Sequence, residues 1–89
     1  MIFISLVKLR RKVTKEMVAN ADRLGEREAK EGVKVLGWYW TLGRYDGVRI
    51  FEAPDEKTAM KFAISAGDMA STETLVAVSR QEAVKLVEE

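Results

Sequence analysis

The stretch Leu36-Gly-Trp-Tyr-Trp-Thr-Leu-Gly-Arg-Tyr-Asp-Gly-Val-Arg-Ile-Phe-Glu52 decides how the rest of the chain is read. Both tryptophans and both tyrosines lie in it, together with three of the six glycines. Aromatic and β-branched residues favour extended backbone, and glycines permit a reversal between two such runs. The pattern predicts a hairpin with its bend over residues 42–45. Alternation puts Leu36, Trp38, Trp40 and Leu42 on one side and Gly37, Tyr39 and Thr41 on the other. In the returning strand Val48 and Ile50 oppose Arg49 and Phe51. Large strand side chains fill a core well against small helix residues. The tryptophans with Val48 and Ile50 are therefore expected beneath the helices, facing Ala21, Ala59 and Ala63.

Upstream, the Ile, Phe and Val content of residues 2–9 predicts a strand buried on both faces. Lys8, Arg10, Arg11 and Lys12 follow as a basic cluster, read as a solvated strand end rather than a phosphate contact. Thr14 is placed to cap a helix N-terminus, with Val13 and Val18 at hydrophobic-staple spacing. Met17, Ala21 and Leu24 recur at helical intervals, and Gly32 ends the helix near residue 31. The charges between Asp22 and Glu31 read as its solvated face. Downstream, Pro54-Asp55 opens a second helix carrying Met60, Phe62, Ala63, Ile64 and Ala66, closed by Gly67. Residues 72–78 form a fourth strand. Ser79-Arg-Gln-Glu82 is a capping box that starts a short final helix.

The order is β-α-β-β-α-β with a terminal helix, an α+β, ferredoxin-like pattern in one domain over residues 1–89. Helices then cover one face of a four-stranded antiparallel sheet. The uncovered face is expected to show Phe3, Ser5, Val7, Tyr39, Thr41, Arg49 and Phe51. That set is too apolar to stay wet, so a homodimer or higher oligomer through this face is expected.

Composition narrows the function classes. The chain has 89 residues, no cysteine and no histidine. So short a chain buries only roughly 60–65% of its unfolded surface. With disulfides impossible and imidazole or thiolate metal sites nearly excluded, self-association is the expected reinforcement. Fifteen basic against fourteen acidic residues leave a net charge of +1, which is no footprint for nucleic acid. Charged residues make up 33% of the chain, with one Asn and one Gln, as in heat-adapted proteins. No run is long enough for a membrane span, and the apolar start precedes its basic residues rather than following them, so a cytoplasmic location is expected.

Chemically, nucleophilic catalysis of the Ser/His/Asp or Cys/His kind lacks its base. No phosphate-loop or dinucleotide fingerprint is present, and no cofactor is expected. Candidate ligand-binding residues cluster at the hairpin: Tyr39, Thr41, Arg44, Tyr45, Asp46 and Arg49. Arginine can hold a carboxylate or phosphate through two hydrogen bonds, and Tyr with Asp can orient a polar molecule. The competing reading makes Gly43 to Asp46 turn chemistry alone. The Trp38 and Trp40 pair reads as core rather than a stacking platform, because no basic residues interleave with it.

At this hairpin the sequence resembles the GYD-domain family. The resemblance rests on Gly37-Trp-Tyr, Thr41-Leu-Gly43-Arg-Tyr45-Asp46, Glu52-Ala-Pro-Asp55 and Thr72-Glu-Thr-Leu75, with Arg23-Leu24 as a weaker match and Ile4 to Val7 fitting the family's first strand. It implies a ferredoxin-like fold of the dimeric α+β barrel type and supplies no activity, since the family's function is unknown. The leading expectation is a homo-oligomeric small-molecule-binding or structural module whose paired sheets form a barrel. The alternative is a cofactor-independent oxygenase or isomerase of the same barrel type. There Tyr45 or Tyr39 would act as acid, Asp46 or Glu52 as base, and Arg49 or Arg44 as oxyanion anchor.

Overall fold

A computed structural model describes residues 1–88. The elements follow the expected order: β1 (Ile2–Leu9), α1 (Lys15–Lys30), β2 (Lys34–Trp40), β3 (Gly47–Glu52), α2 (Glu56–Ser65), β4 (Ala70–Ala77) and α3 (Arg80–Glu88). One antiparallel sheet holds the strands in the order β2-β3-β1-β4. The two central strands are joined to the two edges through helices, giving the α+β ferredoxin-like arrangement. Among the described residues no helix is long and apolar enough to cross a membrane.

The helix ends are set by local chemistry. Thr14 Oγ1 accepts the Met17 amide at 3.1 Å, and Asp55 Oδ1 accepts the Thr58 amide at 2.8 Å. Ser79 Oγ accepts the Glu82 amide at 3.1 Å to start α3. At the C-terminus of α1, Gly32 adopts φ +83°, and the Val33 and Gly32 amides return to the carbonyls of Glu28 and Ala29. This is the six-to-one and five-to-two pairing of a Schellman end. Val13 and Val18 stay half-exposed rather than closing a buried staple.

Strand register sorts the side chains into rows. On the helix side, Val35, Phe51, Phe3 and Val76 lie in one row. Trp38, Arg49, Ser5 and Thr74 form the next row, and Trp40, Gly47, Val7 and Thr72 the last. The core cluster is Phe3, Val33, Phe51, Ala53, Ala59 and Phe62, with Leu24 packed against it. Phe3 and Phe51 stack with ring centroids 5.4 Å apart. On the other side, Gly37, Ile50, Ile4 and Leu75 form one row and Tyr39, Val48, Leu6 and Glu73 the next.

Three expectations are therefore corrected. The covered face carries Phe3, Ser5, Val7, Arg49 and Phe51, whereas Val48 and Ile50 lie on the uncovered one. The tryptophans do share the helix side, but they sit at the outer end of an edge strand beyond the helices, and Trp38 and Trp40 are 58% and 72% exposed. They are not core. β1 is buried on one face only, alternating buried and half-buried residues from Ile2 to Val7. The hairpin register sets Trp38 opposite Arg49 and Tyr39 opposite Val48, so the tryptophans share a face with Arg49 rather than with Val48 and Ile50, and β1, apolar at almost every position, gives no phase of its own.

Candidate functional site

The reversal after β2 is built by its own polar atoms. The Thr41 amide donates to the Asp46 carbonyl at 3.0 Å, and Thr41 Oγ1 donates to the Tyr45 carbonyl at 2.7 Å. Gly43 takes φ +101°, a conformation that costs a side-chain-bearing residue steric strain. The bend is then fastened across to β1. The Asp46 amide donates to the Val7 carbonyl at 2.8 Å, and Asp46 Oδ2 accepts the Leu9 amide at 2.7 Å. Lys8 Nζ stands 3.7 Å from the same carboxylate oxygen. Thr41 and Asp46, both expected at a ligand site, are thus committed to the turn.

Tethering the bend to β1 carries Arg44 and Tyr45 toward β4. There they line an open groove of about 240 Å³ together with Lys8, Ser71, Thr72 and Glu73. The Arg44 guanidinium lies over the Tyr45 ring, 5.6 Å from its centroid. The Glu73 carboxylate stands near the Tyr45 hydroxyl. Its interaction with that hydroxyl, then partial burial and the Glu73 charge, raises the phenol above its ordinary value, against a smaller opposing pull from Arg44. Tyr45 is consequently a neutral donor throughout the physiological range.

Register places Glu73 opposite Leu6 and Ser71 opposite Lys8, so the groove opens at the rim of the uncovered sheet face. Tyr39 lies further along that face and is 61% exposed. A Cβ at position 37 would come within 2.8 Å of the Tyr39 ring, so the ring leans against Gly37 in space that a side chain there would occupy. A second, much smaller cleft of about 30 Å³ lies among Val7, Trp38, Tyr39, Trp40 and Gly47. It has room for a water molecule or two and no more.

Arg49, the remaining candidate, points to the opposite face. Its guanidinium donates to both carboxylate oxygens of Glu28 at 2.7 Å and lies 4.7 Å from the centre of the Phe51 ring. Glu28 is only 4% exposed, so it does not belong to the solvated face expected of residues 22–31. The signal for its burial is spacing: residues 17, 21, 24 and 28 continue one stripe along α1. Beside the pair, Ser5 is buried and shares a hydrogen bond of 3.2 Å with Thr74.

Of the six sequence-derived site residues, Arg44 and Tyr45 come together, Tyr39 shares their face at a distance, and Thr41, Asp46 and Arg49 serve the fold. Lys8, Ser71, Thr72 and Glu73 join the site without any local sequence signal, because only the β1–β4 register brings them to the bend. No curated protein matches the chain. The match to the GYD domain spans residues 3–87, nearly the whole sequence. It includes the Gly43, Tyr45 and Asp46 turn whose geometry is described above, and the chain belongs to the GYD domain family.

Proposed function

We propose that the protein is a homo-oligomeric small-molecule-binding module in which two copies pair their uncovered sheet faces into a barrel. The observation that carries this reading is the uncovered face itself: Ile4, Leu6, Val48, Ile50 and Leu75 form one apolar surface across the central strands and β4. Its helix-side counterpart is a thin core, and among the described residues no large side chain is fully sealed from solvent. The chain exposes 6778 Å². A compact monomer of 10.0 kDa would expose about 5,200 Å². The excess, roughly 1,500 Å² per chain, is of the size an obligate dimer buries on each subunit. A Cα radius of gyration of 14.2 Å, against about 12 Å for a compact domain of this length, agrees.

The face named from sequence for this contact was the wrong one, but the reason for pairing survives the change of face. The groove at Arg44 and Tyr45 opens on the rim of the same surface, so a second sheet laid over it would roof the groove and shield a bound molecule. The alternative oxygenase or isomerase reading has less support. Asp46 is occupied by the Leu9 amide and Lys8, and Arg49 by Glu28 on the other side of the sheet.

The test is the mass of the assembly in solution. Native mass spectrometry of the wild-type chain should give a dimer or a higher multiple. Ile50→Glu, at the middle of the uncovered face, should give a monomer with an unchanged circular dichroism spectrum. A monomeric wild type, or a folded Ile50→Glu variant of unchanged mass, refutes the pairing.

A further inference from the structure

We propose that the groove at the hairpin bend binds a small zwitterion of the amino-acid class, its carboxylate held by Arg44 and its ammonium by Glu73. This rests on the binding-module reading above and names the ligand chemistry of that site.

The groove wall carries uncommitted charge of both signs. The ion pairs among the described residues are Lys8–Asp46, Arg49–Glu28 and Lys61–Glu31. Arg44 and Glu73 take part in none of them. The Lys8 ammonium is balanced by Asp46, which leaves one free positive and one free negative group in the groove wall. Tyr45 lines the groove with both, the Arg44 guanidinium lying over its ring. A ligand of single charge would satisfy one wall and meet a like charge on the other, whereas a molecule carrying both signs a few bonds apart satisfies both.

The remaining surfaces suit such a molecule. Ser71 shares the face of Glu73 and its hydroxyl makes no hydrogen bond among the described residues, so it is open to a ligand carboxylate or ammonium. Glu73 lies opposite Leu6, and the next row is Ile4 and Leu75. An apolar side chain on the ligand therefore runs onto an apolar floor, which the second sheet would close. A volume of about 240 Å³ accommodates one small or medium amino acid.

The experiment is calorimetric titration of the intact chain, in its native assembly, with L-valine, N-acetyl-L-valine and L-valinamide. The acetyl derivative lacks the positive end and the amide lacks the negative one. Valine should bind in the millimolar range. Removal of either charge, or either variant Arg44→Gln or Glu73→Gln, should weaken binding roughly tenfold or more. Both residues are exposed, and circular dichroism of each variant checks that the fold is kept. A charge exchange (Arg44→Glu with Glu73→Arg) should recover part of the binding. No valine binding at about 10 mM, equal binding of all three probes, or binding indifferent to Arg44→Gln overturns the proposal. Oligomeric mass measured on the same samples separates the two readings. An assembled chain that ignores valine refutes the zwitterion site and leaves sheet pairing intact. A monomer that binds valine through Arg44 supports the site and refutes the roof.

Discussion

The two faces of the sheet carry nearly equal shares of apolar side chains and are put to opposite uses. On the helix side, Phe3 and Phe51 stack beneath Phe62, Ala59 and Val33, and a polar row of Arg49, Ser5 and Thr74 runs beside them. On the uncovered side, Ile4, Leu6, Val48 and Ile50 are half-buried by their strand neighbours alone. The helix side contains the charged pair, yet it is the one that is sealed. The open side has no charge in its central strands between Ile4 and Leu6 or between Val48 and Ile50. Hydrophobicity therefore does not identify the core here. What marks the covered face is the fit of aromatic rings against small helix residues, and what marks the open face is aliphatic surface with nothing of its own to meet.

The sharpest way to break this comparison is to truncate one residue from each face. Phe51→Ala removes a ring that is 4% exposed and stacked on Phe3, and should cost about 3–5 kcal/mol of folding stability. In a chain this small that approaches the whole stability. Ile50→Ala, its immediate neighbour on the other face, should weaken assembly and make the melting temperature steeply dependent on concentration. Equal effects of the two on folding at high dilution would show that the faces do not differ as described.

A smaller effect is expected at the buried ion pair. Glu28→Ala leaves the Arg49 guanidinium, whose side chain is only 19% exposed, without its carboxylate under α1, and should cost about 3 kcal/mol by chemical denaturation. The paired replacement of Glu28 by Leu and Arg49 by Met should recover most of that loss, because breaking such a pair costs more than removing it. If the double variant is no better than the single one, the pair holds the helix in place through more than charge balance.

The least effect concerns the cap that positions α2 over the covered face. The Thr58 amide and hydroxyl both donate to Asp55, which holds its carboxyl below the usual range. A depressed folded value means that this contribution is present above the unfolded pKa of about 4 and is lost as pH falls through the lower folded value. Asp55→Asn should therefore lower stability modestly at neutral pH and converge with the wild type in acid, flattening the acid limb of the profile. A profile of unchanged slope between pH 4 and the acid transition would show that the cap does not titrate with folding.

Much of the architecture was legible because it is written in local chemistry. Thr14, Gly32, Asp55 and Ser79 mark helix ends through hydrogen bonds that span three to five residues, and each of them holds in the structure. The bend over residues 42–45 was legible for the same reason. The assignment of faces was not. β1 reads Ile-Phe-Ile-Ser-Leu-Val, apolar on both phases, and the bulge before Gly37 gives no signal that distinguishes it from regular strand. The site divided along the same line. Arg44 and Tyr45 are neighbours in sequence and remain so in the groove, whereas Glu73 reaches them from 28 positions away only through β4 pairing.

The sequence by itself determined the order of elements, their ends and the family, since these follow from periodicity, capping and turn residues acting over a few positions. Tertiary structure alone decided which side of the sheet is covered. Crossover connections between parallel strands are right-handed, so the helices must lie on one side of the sheet, whatever residues the strands present there. That choice turned Phe3 and Phe51 inward, paired Arg49 with Glu28, left Trp38 and Trp40 on an outer edge, and exposed the aliphatic face that a second copy of the chain can fill.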